Sequence, residues 1–124
     1  MLEIFILGLF AAVITIAVIA VLVMGVKWLK KYVIEKLKNR KKHKVAFADT
    51  REIVDEYIAQ KVDAADEISM DDLEKMCAKT PYVAAIVDDE TGEITDYEGI
   101  KAEKTDVNFK ARMKQQKGMV IIGA

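Results

Sequence analysis

Between Ile4 and Val26 the chain runs for twenty-three residues without a charge, and the only hydroxyl in that run is Thr15. As a helix the run would be roughly 34 Å long at ~1.5 Å per residue, enough to cross a ~30 Å hydrocarbon layer with some tilt. Many of its residues are β-branched, which suits a buried strand in water. A strand of that length is foreign to a small domain, however. In lipid every backbone amide needs a partner within the segment, which a helix supplies. The sequence therefore predicts a transmembrane helix over 1–26.

The charges that follow set its orientation. From Lys27 to Lys44 there are nine Lys or Arg residues against one acid, Glu35, whereas Val45–Ala124 carries ten against eighteen Asp or Glu. Basic residues beside a span stay on the cytoplasmic side, so the prediction is an N-terminus outside and the remaining chain inside, at the cell (inner) membrane. A cleaved signal peptide fits poorly. The n-region Met-Leu-Glu has no basic side chain, the apolar run is too long, and lysines stand where a cleavage site belongs.

Past Val26, the residues Trp28, Leu29, Tyr32, Val33 and Leu37 recur at helical spacing. One helix is expected from about Leu2 to about Lys41, leaving the bilayer as a basic amphipathic rod. Trp28 and Tyr32 would lie in the aromatic belt, and Lys27, Lys30 and Lys31 would reach anionic lipid. Gly8 with Ala12, and Ala11 with Thr15, form small-xxx-small pairs that offer a homodimer seam within the span.

Residues 27–44 are thus read as a juxtamembrane helix and linker, and 45–124 as a small acidic α+β domain. Asp49 with Glu52 marks the start of a helix over 50–62, and Asp63-Ala64-Ala65-Asp66 a break. Ser69 with Asp72, flanked by Ile68 and Leu73, starts a helix over 70–79 that Thr80-Pro81 ends. Tyr82–Val87 and Ile94–Ala102 form a hairpin turned at Gly92, with a bulge at Gly99. Thr105 or Asp106 caps a third helix that Gly118 stops, and Met119, Val120, Ile121 and Ile122 make a last strand. The pattern α-α-β-β-α-β predicts a three-stranded sheet in the order 2-1-3, with the first strand central and the last antiparallel to it.

The search for chemistry returns little. His43, the only histidine, sits in the basic linker, and Cys77, the only cysteine, falls in helical register with Met70 and Leu73 as a small core residue. That excludes an internal disulfide, a histidine-based triad and a Cys/His zinc site. The six glycines are isolated, so no phosphate loop is present. Asp88-Asp89-Glu90 with Glu93 has the ligand chemistry for a hard cation, but a solvated hairpin turn explains it more simply. No catalytic, metal or cofactor-binding residue is assigned. The net charge of −8 over 45–124 argues against nucleic acid.

The sequence is best read as a non-enzymatic, single-pass tether that presents a protein-binding domain at the membrane, with Met119–Ile122 as an edge strand for a partner. The alternatives are a membrane-acting oligomer of holin-like or toxin-like type, or a small enzyme with an unrecognised site.

Overall fold

The computed structural model describes residues 16–61 and 69–123. In chain order the elements are β1 (Val18–Met24), α1 (Val26–Leu37), β2 (His43–Asp49), α2 (Thr50–Lys61), α3 (Met70–Lys79), β3 (Tyr82–Asp88), β4 (Ile94–Thr105), α4 (Val107–Gln115) and β5 (Met119–Gly123). They make a mixed α+β domain with one five-stranded sheet in the order β1-β4-β3-β2-β5.

Two short apolar runs form the centre of that sheet. Val45-Ala46-Phe47-Ala48 in β2 and Tyr82–Val87 in β3 are buried throughout and pair antiparallel, with Val45 opposite Ile86 and Phe47 opposite Ala84. Their continuous apolarity reflects helices on both faces, because alternate side chains point to opposite sides. On one face Ala46, Ala48, Val83, Ala85 and Val87 meet Ile53 and Val54 of α2 and Leu73, Met76 and Cys77 of α3. On the other, Val45, Phe47, Tyr82, Ala84, Ile86 and Ile100 meet Leu29, Tyr32, Val33 and Leu37 of α1 and Phe109 and Met113 of α4. Alanines let α2 and α3 approach closely, while aromatic rings fill the second face. Phe47 lies 5.7 Å from Tyr82 and 6.1 Å from Phe109, centroid to centroid.

Caps and turns fix the ends. The Glu52 amide donates to Asp49 Oδ1 at 3.4 Å, Asp72 to Ser69 Oγ at 3.4 Å, and Phe109 to Asp106 Oδ1 at 2.9 Å, each satisfying an orphan donor of a first turn. Burial raises the Asp49 carboxyl above its usual range, against the pull of the Glu52 amide, of Lys110 and of the Arg51 amide. Thr50 Oγ1 donates to the Thr80 carbonyl, tying the start of α2 to the end of α3. Gly92 turns the hairpin at φ +72° and Gly118 leads into β5 at φ +84°. Arg51 and Glu74 make a bidentate pair at 2.7 and 2.9 Å, clamping α2 to α3.

Several expectations are corrected. The continuous helix from about 2 to 41 does not form over the described part: Val18–Met24 is a strand, parallel to β4, and α1 begins only after Gly25. The β-branched side chains of Val18, Ile19, Val21 and Val23 suit that edge, and β4 extends past β3 to offer it. The rest of the expected span, with the Gly8/Ala12 and Ala11/Thr15 pairs, lies outside the described residues, as does the break at 63–66. Among the described residues no helix is long and apolar enough to cross a membrane. The folded unit does not begin at residue 45, because β1, α1 and the start of β2 belong to it. The sheet has five strands, not three. β3 is central as expected, but β2 stands between it and β5, which is antiparallel to β2. Finally, the ladder irregularity falls between Ile86 and Val87, not at Gly99. Gly99 is instead a close-approach site, where an added Cβ would come within 2.7 Å of Thr80 Cγ2.

Candidate functional site

The basic run divides into two populations. Towards its C-terminal end, four cations lie against the β3–β4 hairpin and pair with its acids: Lys36 with Glu98 at 3.2 Å, Arg40 with Asp96 at 3.9 Å, Lys42 with Glu90 at 2.6 Å and Lys44 with Asp89 at 3.4 Å. Two acids of the turn, Asp89 and Glu90, are thereby engaged. Asp88 Oδ1 accepts from the Glu90 amide at 2.8 Å, Asp89 and Glu90 are in ion pairs, and among the described residues no group of three or more potential ligands is placed to hold a metal.

The N-terminal lysines are different. Helical spacing turns Leu29, Tyr32, Val33 and Leu37 onto the sheet, so Lys27, Lys30, Lys31, Ile34 and Lys38 face outward. Lys27, Lys30 and Lys31 are exposed and form no ion pair among the described residues. Ile34, 67 % exposed, sits among them. Beside this stripe, β1 and the first turn of α1 expose Leu22 (72 %), Val23 (56 %) and Val26 (42 %), an unusual set of large apolar side chains on one edge. Val23, Val26, Lys27, Trp28 and Lys31 line one open depression of about 480 Å³ with Asp106 at its rim. Apolar anchors next to unpaired lysines are the chemistry of a surface that meets anionic headgroups.

The two aromatic residues expected at that interface are placed otherwise. Tyr32 is buried, and its hydroxyl donates to Glu98 Oε1 at 2.6 Å; burial first, then Glu98, raises its pKa far above that of a free phenol. Trp28 is half-buried, stacked on Tyr32 at 4.9 Å and tilted against Phe47 at 6.2 Å. Both serve to dock α1 on the sheet.

Met119, Val120, Ile121 and Ile122 lie on an outer strand, with β2 on one side and, among the described residues, no strand on the other. Ile121 is 48 % exposed. Val120 and Ile122 form the floor of a second open cleft, of about 450 Å³, between Val26 and Leu29 of α1 and Phe109 and Met113 of α4. Only Arg112, Gln115 and Gln116 bring polar groups to it, so no acid, base and nucleophile converge there. Cys77 is buried, and burial pushes its thiol above the ordinary value, which suits an inert core residue rather than a nucleophile.

Reading the sequence alone missed two features of this surface. One is the strand at His43–Asp49, whose signal is the run Val45–Ala48 between Lys44 and Asp49. The other is that four of the nine cations of the basic run are paired with the hairpin, for which the signal is the acidic segment at 88–98. No protein-family model, curated protein or solved structure matches the chain.

Proposed function

We propose that the chain is a membrane tether: its apolar N-terminal run is solvated by lipid, and the exposed basic face of α1 rests on anionic headgroups. One observation carries this reading. The cations nearest the apolar run, Lys27, Lys30 and Lys31, have no ion-pair partner among the described residues, while four of the six further along, Lys36, Arg40, Lys42 and Lys44, are matched by acids. Each lysine near an anionic surface contributes about 1 kcal/mol, so the three together make a firm contact. Positive charge on this side of the run favours the cytoplasmic face of a cell membrane for the domain. The role is binding rather than catalysis, and the open edge of β5 at Met119–Ile122 suits a partner's extended strand.

Vesicle flotation tests the reading. Full-length protein should float several-fold more with phosphatidylglycerol-containing vesicles than with phosphatidylcholine alone, and the triple variant Lys27→Glu, Lys30→Glu, Lys31→Glu should lose that difference. Equal flotation with both lipids, unchanged in the variant, would remove the basic stripe from the account.

A further inference from the structure

The same residues are claimed by two solvents. In the folded domain Val18–Met24 is an edge strand, paired on one side only among the described residues; in the sequence it is the last third of a charge-free run of twenty-three residues. In water the strand is a compromise. Met24 is fully buried and Ile19 and Val21 are half-covered, but Leu22 and Val23 stay largely in solvent. If β1 stays in the sheet, the apolar residues before it (4–17) would make a helix of only about 21 Å, short of a ~30 Å hydrocarbon core. Adding Val18–Val26 restores a full crossing and places every apolar side chain of the run in lipid.

We propose that an anionic bilayer takes β1 out of the sheet: residues 18–24 exchange from a strand on β4 to the C-terminal part of a membrane-crossing helix. This rests on the membrane reading above. Three features fit the exchange. β1 is an edge, so its departure breaks no other strand pair and leaves the sheet β4-β3-β2-β5. It joins α1 through Gly25 alone, so the change of secondary structure has a defined limit. And α1 keeps its own attachment through Leu29, Tyr32, Val33 and Leu37, so the domain stays docked to the chain that enters the membrane.

The exchange leaves a mark on β4. Up to Ile100, β4 pairs with β3; from Lys101 to Thr105 its strand partner is β1. The Gly99 amide donates to the Ala17 carbonyl, so in alternation the amides of Lys101, Glu103 and Thr105 face β1. Their hydrogen exchange should therefore speed up at least tenfold when full-length protein is moved from solution to phosphatidylglycerol vesicles, while amides of β2 and β3 keep their protection. A covalent lock provides the second measurement. Ala20 and Lys101 are register partners on adjacent strands, a separation a disulfide can span. In a Cys77→Ala background, Ala20→Cys with Lys101→Cys should be extracted from vesicles by alkaline carbonate when oxidised and resist extraction when reduced. Unchanged exchange at Lys101, Glu103 and Thr105 in vesicles, or oxidised protein as resistant as reduced, overturns the proposal. Failure of either form to bind vesicles at all instead overturns the membrane reading beneath it.

Discussion

The Tyr32 hydroxyl donates to Glu98 Oε1 at 2.6 Å, joining residues sixty-six positions apart in the chain and fastening α1 to β4. Lys36 reaches the same carboxylate at 3.2 Å, so one acid receives both a neutral and a charged donor from consecutive turns of the helix. Tyr32→Phe keeps the ring packing and removes only the hydroxyl. Because Lys36 remains on Glu98, the loss should fall near the low end for a hydrogen bond to a charged group, about 1–2 kcal/mol in urea unfolding. A loss below the error of the measurement would mean that packing alone docks α1.

Alkaline pH should unfold this domain early. Burial raises the hydroxyls of Tyr32, Tyr82 and Tyr97, the last to about 12. A phenol whose folded pKa exceeds its unfolded value of about 10 binds its proton more tightly when folded, so stability is intact below that pH and falls as pH rises beyond it. Tyrosinate absorbance should lag behind that of a free phenol and then rise together with loss of the far-ultraviolet circular dichroism signal. A full tyrosinate signal from a still-folded chain would contradict the burial of these side chains.

Gly118 and Gly92 both have positive φ, but only one is enclosed. A Cβ at Gly118 would lie 2.5 Å from Glu52 Cβ, whereas one at Gly92 would meet nothing within 4 Å. Gly92→Ala should cost about 1 kcal/mol, the backbone penalty alone. Gly118→Ala should cost distinctly more, ~2–3 kcal/mol, because α2 must also shift. Equal midpoints in urea for the two variants would argue against the close approach of β5's lead-in to α2.

A fragment beginning at Val45 should not fold. It lacks Met24, Leu29, Tyr32, Val33 and Leu37, which cover Val45, Phe47, Tyr82, Ala84, Ile86 and Ile100. Losing most of one layer of a small core exceeds the usual margin of stability. The fragment should bind an apolar dye and unfold without a cooperative transition. Cooperative unfolding of residues 45–124 would put the domain boundary back where the charge pattern suggested it.

That boundary shows where the residues were legible and where they were not. The helices at 50–61, 70–79 and 107–115 were readable because their caps, Asp49, Ser69 and Asp106, are local chemistry acting within three residues. The hairpin was readable from a run of apolar residues and a glycine. Strand β2 was hidden because its four apolar residues, Val45–Ala48, sit between a lysine cluster and a helix cap, and only pairing with β3 and β5 makes them a strand. β1 was hidden by a conflict of solvents, since the same apolarity suits a lipid helix and a protein edge. Of the interface residues, the lysines were legible as unburied charge. The roles of Trp28 and Tyr32 were not, because Phe47 and Glu98, the groups they meet, come from distant parts of the chain.

The lone indole of Trp28 lies between the ring of Tyr32 and that of Phe47, where helix and sheet touch. The molecule thus has a built-in optical probe at its most informative seam. Its emission colour will register any loosening of α1 from the sheet, whether caused by heat, denaturant or lipid, without a dye or a label.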